Sequence, residues 1–182
     1  MIVATLILMT GTGQAMSVPT FTDADVEVVE ACVDRGDNRG SCPGSGADNR
    51  TAIACMTDLP EESSEDAFVA CLSTVMERCT SSLAATTPEM SQRVLRVCSA
   101  RARGATQAAV ADWFVRAEGR LPANVYAGFQ RTWDSVAPRA DDRASTATAS
   151  ASLTLPLRVA AIRTGIWDSF ALFLWRAERD ED

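Results

Sequence analysis

A chain of 182 residues with 24 acids against 17 basic residues carries a formal net charge of −7 and contains no His. All of its positive side chains are Arg. Without His or Lys, the chain cannot build a Ser-His-Asp or Cys-His arrangement, a histidine base or a lysine Schiff base. Its negative sign disfavours nucleic acid and anionic lipid and favours basic partners.

The chain opens "MIVATLILMTGTGQAMS", an uncharged apolar run followed by small residues. This is the pattern of a secretory signal peptide over residues 1–17, although no basic residue precedes the run. From Thr22 a first helix is expected, with Asp23 and Asp25 in its first turn and Val26, Val29 and Val33 at helical spacing. It should stop near Gly36. The segment "DRGDNRGSCPGSGADNR" reads as a solvated turn region, since it matches neither a phosphate loop nor a calcium loop. A short helix around Asn49 to Met56 carries Cys55.

The next expected helix runs from Glu65 to Cys79, with Phe68, Leu72, Val75 and Met76 on one face. Thr86 and Glu89 have the spacing of a capping box, Pro88 suits a first helical position, and Met90, Val94, Val97 and Cys98 form the following stripe. After Gly104 the pattern resumes through Ala109, Val110, Trp113 and Phe114, stopping near Gly119. Pro122 opens another helix bearing Val125, Phe129, Trp133 and Val136, which Pro138 should end. A small polar linker is expected near residues 139–152, then a last apolar helix from Leu155 to Arg179. Asp168 and the flanking arginines argue against a membrane span in that helix.

Six cysteines, Cys32, Cys42, Cys55, Cys71, Cys79 and Cys98, lie in the first 98 residues. An even count in a secreted chain reads as a disulfide framework. Zinc is disfavoured because His is absent and no C-x-x-C pair occurs. If the helices flanking Cys79 and Pro88 form a hairpin with level tips, Cys71 comes beside Cys98. By analogy Cys32 would pair with Cys55, leaving Cys42 for Cys79. The expected architecture is all-α, disulfide-stapled helical hairpins packed into a small bundle, with a cysteine-containing segment at 18–62 and a helical domain at 63–182.

From Cys71 onward, "CLSTVMERC", "TTPEMSQRVLRVC" and "FQRTWDSV" resemble the LprI-like lysozyme inhibitor family, helical disulfide-stapled proteins of the bacterial envelope. The resemblance covers residues 70–175, and Gln130, Arg131 and Trp133 match the family's Gln-Arg-x-Trp motif. At the family's polar signature this chain has Ala102, Thr106, Gln107, Val110, Ala111 and Phe114, which keep the periodicity and change the surface.

The resemblance implies a non-enzymatic periplasmic or secreted binding protein, an inhibitor of lysozyme or a similar cationic wall-cleaving enzyme. The exposed pair Glu61 and Glu62, beside the stapled hairpin, is the candidate interface toward such a basic partner. No cofactor, metal, nucleic acid or membrane span is expected. The alternatives are a glycosidase-like enzyme using carboxylates alone, with Asp134 and Asp168 as the acids beside a Trp, and a structural envelope module.

Overall fold

The computed structural model describes residues 22–35, 42–83, 87–146 and 155–179. The expected signal segment at 1–17, and Thr86, lie outside them. Among the described residues there are six α-helices and no strand: α1 Asp23–Asp34, α2 Ser45–Thr57, α3 Glu65–Ser82, α4 Pro88–Ala117, α5 Ala123–Thr146 and α6 Leu155–Arg179. The all-α, disulfide-stapled reading therefore holds.

Local chemistry sets the helix starts. Thr22 and Asp25 form a reciprocal capping box, the Thr22 N–H donating to the Asp25 carboxylate at 2.8 Å. Those bonds hold the Asp25 carboxyl below its ordinary range. Ser64 caps α3 through the Ala67 N–H. The cap of α4 is Thr87, whose hydroxyl accepts from Met90 N–H with Pro88 in the first turn. The start thus lies one residue past the expected Thr86.

α4 is the axis of the molecule. Its 30 residues make a rod about 45 Å long. It is buried on several faces because the residues there are small: Ser99, Ala100, Ala102, Gly104, Ala105, Thr106 and Ala109. Small side chains let neighbouring helices approach closely. Gly104, expected to interrupt the helix, is instead buried inside it; its propensity cost of about 1 kcal/mol is outweighed by packing.

Named contacts give the helix directions. Asp23 meets Arg93, Glu30 meets Arg96 and Asp34 meets Arg103, so α1 and α4 run parallel. Thr164 reaches the Ser99 carbonyl, Asp168 meets Thr106 and Glu178 meets Arg116, so α6 also runs parallel to α4. α5 runs back against α6, with Phe129 on Phe173 and Trp133 on Trp167 and Phe170.

One core joins Ala52, Cys55 and Met56 of α2, Phe68, Leu72 and Val75 of α3, Ala105 to Trp113 of α4, and Trp167 to Trp175 of α6. It crosses the boundary expected near residue 62.

The disulfides are Cys32–Cys42, Cys55–Cys71 and Cys79–Cys98. All three expected pairs, Cys71 with Cys98, Cys32 with Cys55 and Cys42 with Cys79, are replaced by links between sequence neighbours. The hairpin tips are not level, and that is the reason. Cys79 is three residues from the end of α3 and Cys98 ten residues past the start of α4, a mismatch of about 10 Å along the helices. Cys71, displaced from α4, faces α2 and bonds Cys55.

Two loop expectations also change. α2 begins at Ser45, inside the segment read as a polar turn, following Gly44 in the left-handed region at φ 78°. α5 continues through Pro138 to Thr146, into the expected linker; residues 147–152 lie outside the described ones. The carbonyl that loses its partner at Pro138 belongs to exposed Asp134, where water can replace the missing N–H.

Candidate functional site

The turn between α2 and α3 carries Glu61 and Glu62, both exposed. The first part of the turn is held from α6. Arg179 Nη2 donates to the carbonyls of Leu59 and Pro60, each at 3.0 Å, and Nε donates to that of Glu61 at 3.4 Å. The same guanidinium lies 3.7 Å over the Trp175 ring. Trp175 is buried against Phe68, with centroids 4.8 Å apart. One turn away Arg176 pairs with Glu65 at the start of α3. Arg179 thus spends its donors on main-chain oxygens, leaving the two carboxylates free on a fixed support.

Sequence reasoning placed Glu61 and Glu62 beside the hairpin but missed Arg179. A signal was present: Trp175 and Arg179 are four apart, the spacing at which helical side chains meet.

Beside this turn lies an open depression of about 490 Å³ lined by Ser63, Ser64, Glu65, Trp175, Arg176 and Arg179. A second hollow of about 300 Å³ lies where Trp113, Leu121 and Phe129 meet Arg120 and Glu178. In the first, Ser64 is committed to capping and Glu65 to Arg176. In the second, Glu178 accepts from both Arg116 and Arg120. Among the described residues no group of three or more Cys, Asp or Glu is placed to hold a metal ion.

The two acids singled out beside Trp residues part company. Asp134 is exposed on α5. Asp168 turns its carboxyl onto α4, accepting from Thr106 Oγ1 at 2.8 Å, and burial pushes its pKa up to about 6 against the opposing effect of that hydrogen bond. Such a shift is found at catalytic carboxyls, but a glycosidase pair needs two carboxyls about 5 to 10 Å apart across a cleft. Asp168 instead lies between packed helices.

The Gln-Arg-x-Trp motif splits by face. Gln130 and Arg131 are exposed, whereas Trp133 is half-buried against Phe114, Trp167 and Phe170. The motif's aromatic residue is structural, and its polar pair belongs to the surface. Comparison of the chain with protein-family models, curated proteins and solved structures finds no match.

Proposed function

We propose that this protein is a non-enzymatic binding protein of the periplasm or extracellular space. It presents a rigid acidic surface, centred on Glu61 and Glu62, to a basic protein such as lysozyme or another cationic wall-cleaving enzyme. The observation that carries the reading is the pinned turn: two exposed carboxylates on a turn that Arg179 bonds at the Leu59, Pro60 and Glu61 carbonyls. A charge held on a fixed support loses little entropy on docking, and opposite charge raises the rate of encounter.

Three further features support it. The net charge of −7 has the sign that attracts a basic partner. Three disulfides suit an oxidising compartment. No helix of the described residues is long and apolar enough to cross a membrane. The resemblance to LprI-like inhibitors belongs to this reading, with exposed Gln130 and Arg131 as a second place for a partner to touch.

The test is a peptidoglycan digestion assay with lysozyme. The purified protein alone should release no fragments, and in excess it should slow the enzyme. Hydrolysis by the protein itself would overturn the non-enzymatic reading in favour of a carboxylate-only enzyme. An unchanged lysozyme rate, with no binding to other basic wall-cleaving enzymes, would remove the inhibitor.

A further inference from the structure

We propose that the hollow at the C-terminal end of α4 is a binding site for a small aromatic molecule that carries an oxygen acceptor, a carboxylate or a carbonyl. It shares no lining residue with the Glu61–Glu62 turn or its Arg179 support, so the two sites stand or fall separately.

The chain builds the walls locally. α4 ends at Ala117, and Gly119, in the left-handed region at φ 78°, turns the chain back. The N–H groups of Arg120 and Leu121 then donate to the Ala117 carbonyl at 3.1 and 3.2 Å, which fixes both residues against the end of the helix. Phe129 comes from α5 with its ring edge-on to Trp113, centroids 5.2 Å apart. α6 contributes Ala177 and Glu178. The small side chain of Ala177 leaves room, and the space enclosed is about 300 Å³, at the small end of ordinary ligand sites.

Two donors at this end of α4 lack acceptors. Trp113 lines the hollow and is 2% exposed, and its indole N–H is buried with no acceptor among the described residues. A buried indole N–H ordinarily finds one. Three residues on, Arg116 spends Nε on Asp112 and Nη1 on Glu178, while its Nη2 is also buried without an acceptor. Residues three apart are neighbours on a helix surface, so the two donors belong to adjoining positions. The acid lining the hollow, Glu178, already accepts from both Arg116 and Arg120 through Oε1. A ligand oxygen that reaches an unmet donor removes the cost of burying it.

The walls decide the rest of the ligand. Trp113, Phe129, Leu121 and Ala177 offer two aromatic and two aliphatic surfaces to a flat ring. Water can meet a donor but gains nothing from an apolar wall, whereas a ring bearing an oxygen does both.

Nuclear magnetic resonance of the intact, nitrogen-15-labelled protein tests the site, with 2-naphthoate, 2-naphthamide and naphthalene as probes. The four Trp side chains give separate indole N–H resonances once assigned through the backbone. The Trp113 resonance should shift saturably with naphthoate or naphthamide, the tighter of the two showing whether carboxylate or carbonyl is preferred. Naphthalene, the same ring without an acceptor, should bind about tenfold more weakly or worse. Ala177→Leu fills the hollow from a half-buried position and should abolish the shift while the Trp167 resonance keeps its place. A Trp113 resonance unmoved by millimolar naphthoate and naphthamide would leave the hollow to water and overturn the site. So would equal affinity for naphthalene, or a saturable shift that survives in Ala177→Leu.

Discussion

Arg101 shows how much one side chain can organise. It donates to the Asp48 carboxylate at 2.8 Å and to the Gly44 carbonyl at 3.0 Å, and its Nη1 lies 3.8 Å from Cys79 Sγ. It thereby ties the start of α2 to the Cys79–Cys98 bridge. Gly44 is required twice over: its φ of 78° is left-handed, and a Cβ there would stand 2.9 Å from the Arg101 Cζ. Asp48 is buried to 1% exposure, so removing its partner leaves an unpaired buried charge. Arg101→Met should therefore cost about 3 to 5 kcal/mol in urea unfolding. Arg93, whose pair with Asp23 is solvent-exposed, should tolerate the same change with no measurable loss. Equal effects at the two sites would contradict this ranking of buried over exposed pairs.

Among the elements, the disulfides join near neighbours along the chain, and none closes a long loop. Cys32–Cys42 ties α1 to the approach to α2, Cys55–Cys71 ties α2 to α3, and Cys79–Cys98 ties α3 to α4, with separations of 10, 16 and 19 residues. Non-reducing digestion should yield peptides linking Cys32 to Cys42, Cys55 to Cys71 and Cys79 to Cys98. Replacing Cys55 and Cys71 by Ala should cost about 2 to 4 kcal/mol. A Cys71 to Cys98 peptide would restore the level-tip hairpin and contradict the packing of α2 on α3.

The helices themselves were legible because apolar periodicity and caps are local. Thr22, Pro88, Leu155 and Arg179 could be placed from residues a few positions away. The disulfide pairing was not legible, because it depends on how far α3 slides along α4, and the sequence around Leu83 to Thr87 carries no signal for that offset. The length of α4 was obscured by Gly104, where propensity argues for a break; the position is buried, and the helix as a whole packs against α1, α2, α3 and α6, which overrides it. Pro138 misled in the same direction.

Over the molecule as a whole, the core lies along α4, and in the full sequence acids outnumber arginines by 24 to 17. Many of the described arginines are committed to internal pairs with acids of other helices, among them Arg96 with Glu30, Arg101 with Asp48 and Arg116 with Glu178. The Glu61–Glu62 turn was legible as charge, since two adjacent acids follow a proline. Its rigidity was not, because the residue that fixes it, Arg179, lies 118 positions away.

Docking through the acidic turn is tested by the association rate with a basic lysozyme, measured at rising salt for the wild type and for Glu61→Gln/Glu62→Gln. The wild-type rate should fall steeply as the screening length shrinks through about 8 Å, with dissociation changing less. In the double variant the rate should be slower and its salt dependence shallower. A rate independent of salt, or a double variant that binds as the wild type does, would contradict docking through this turn.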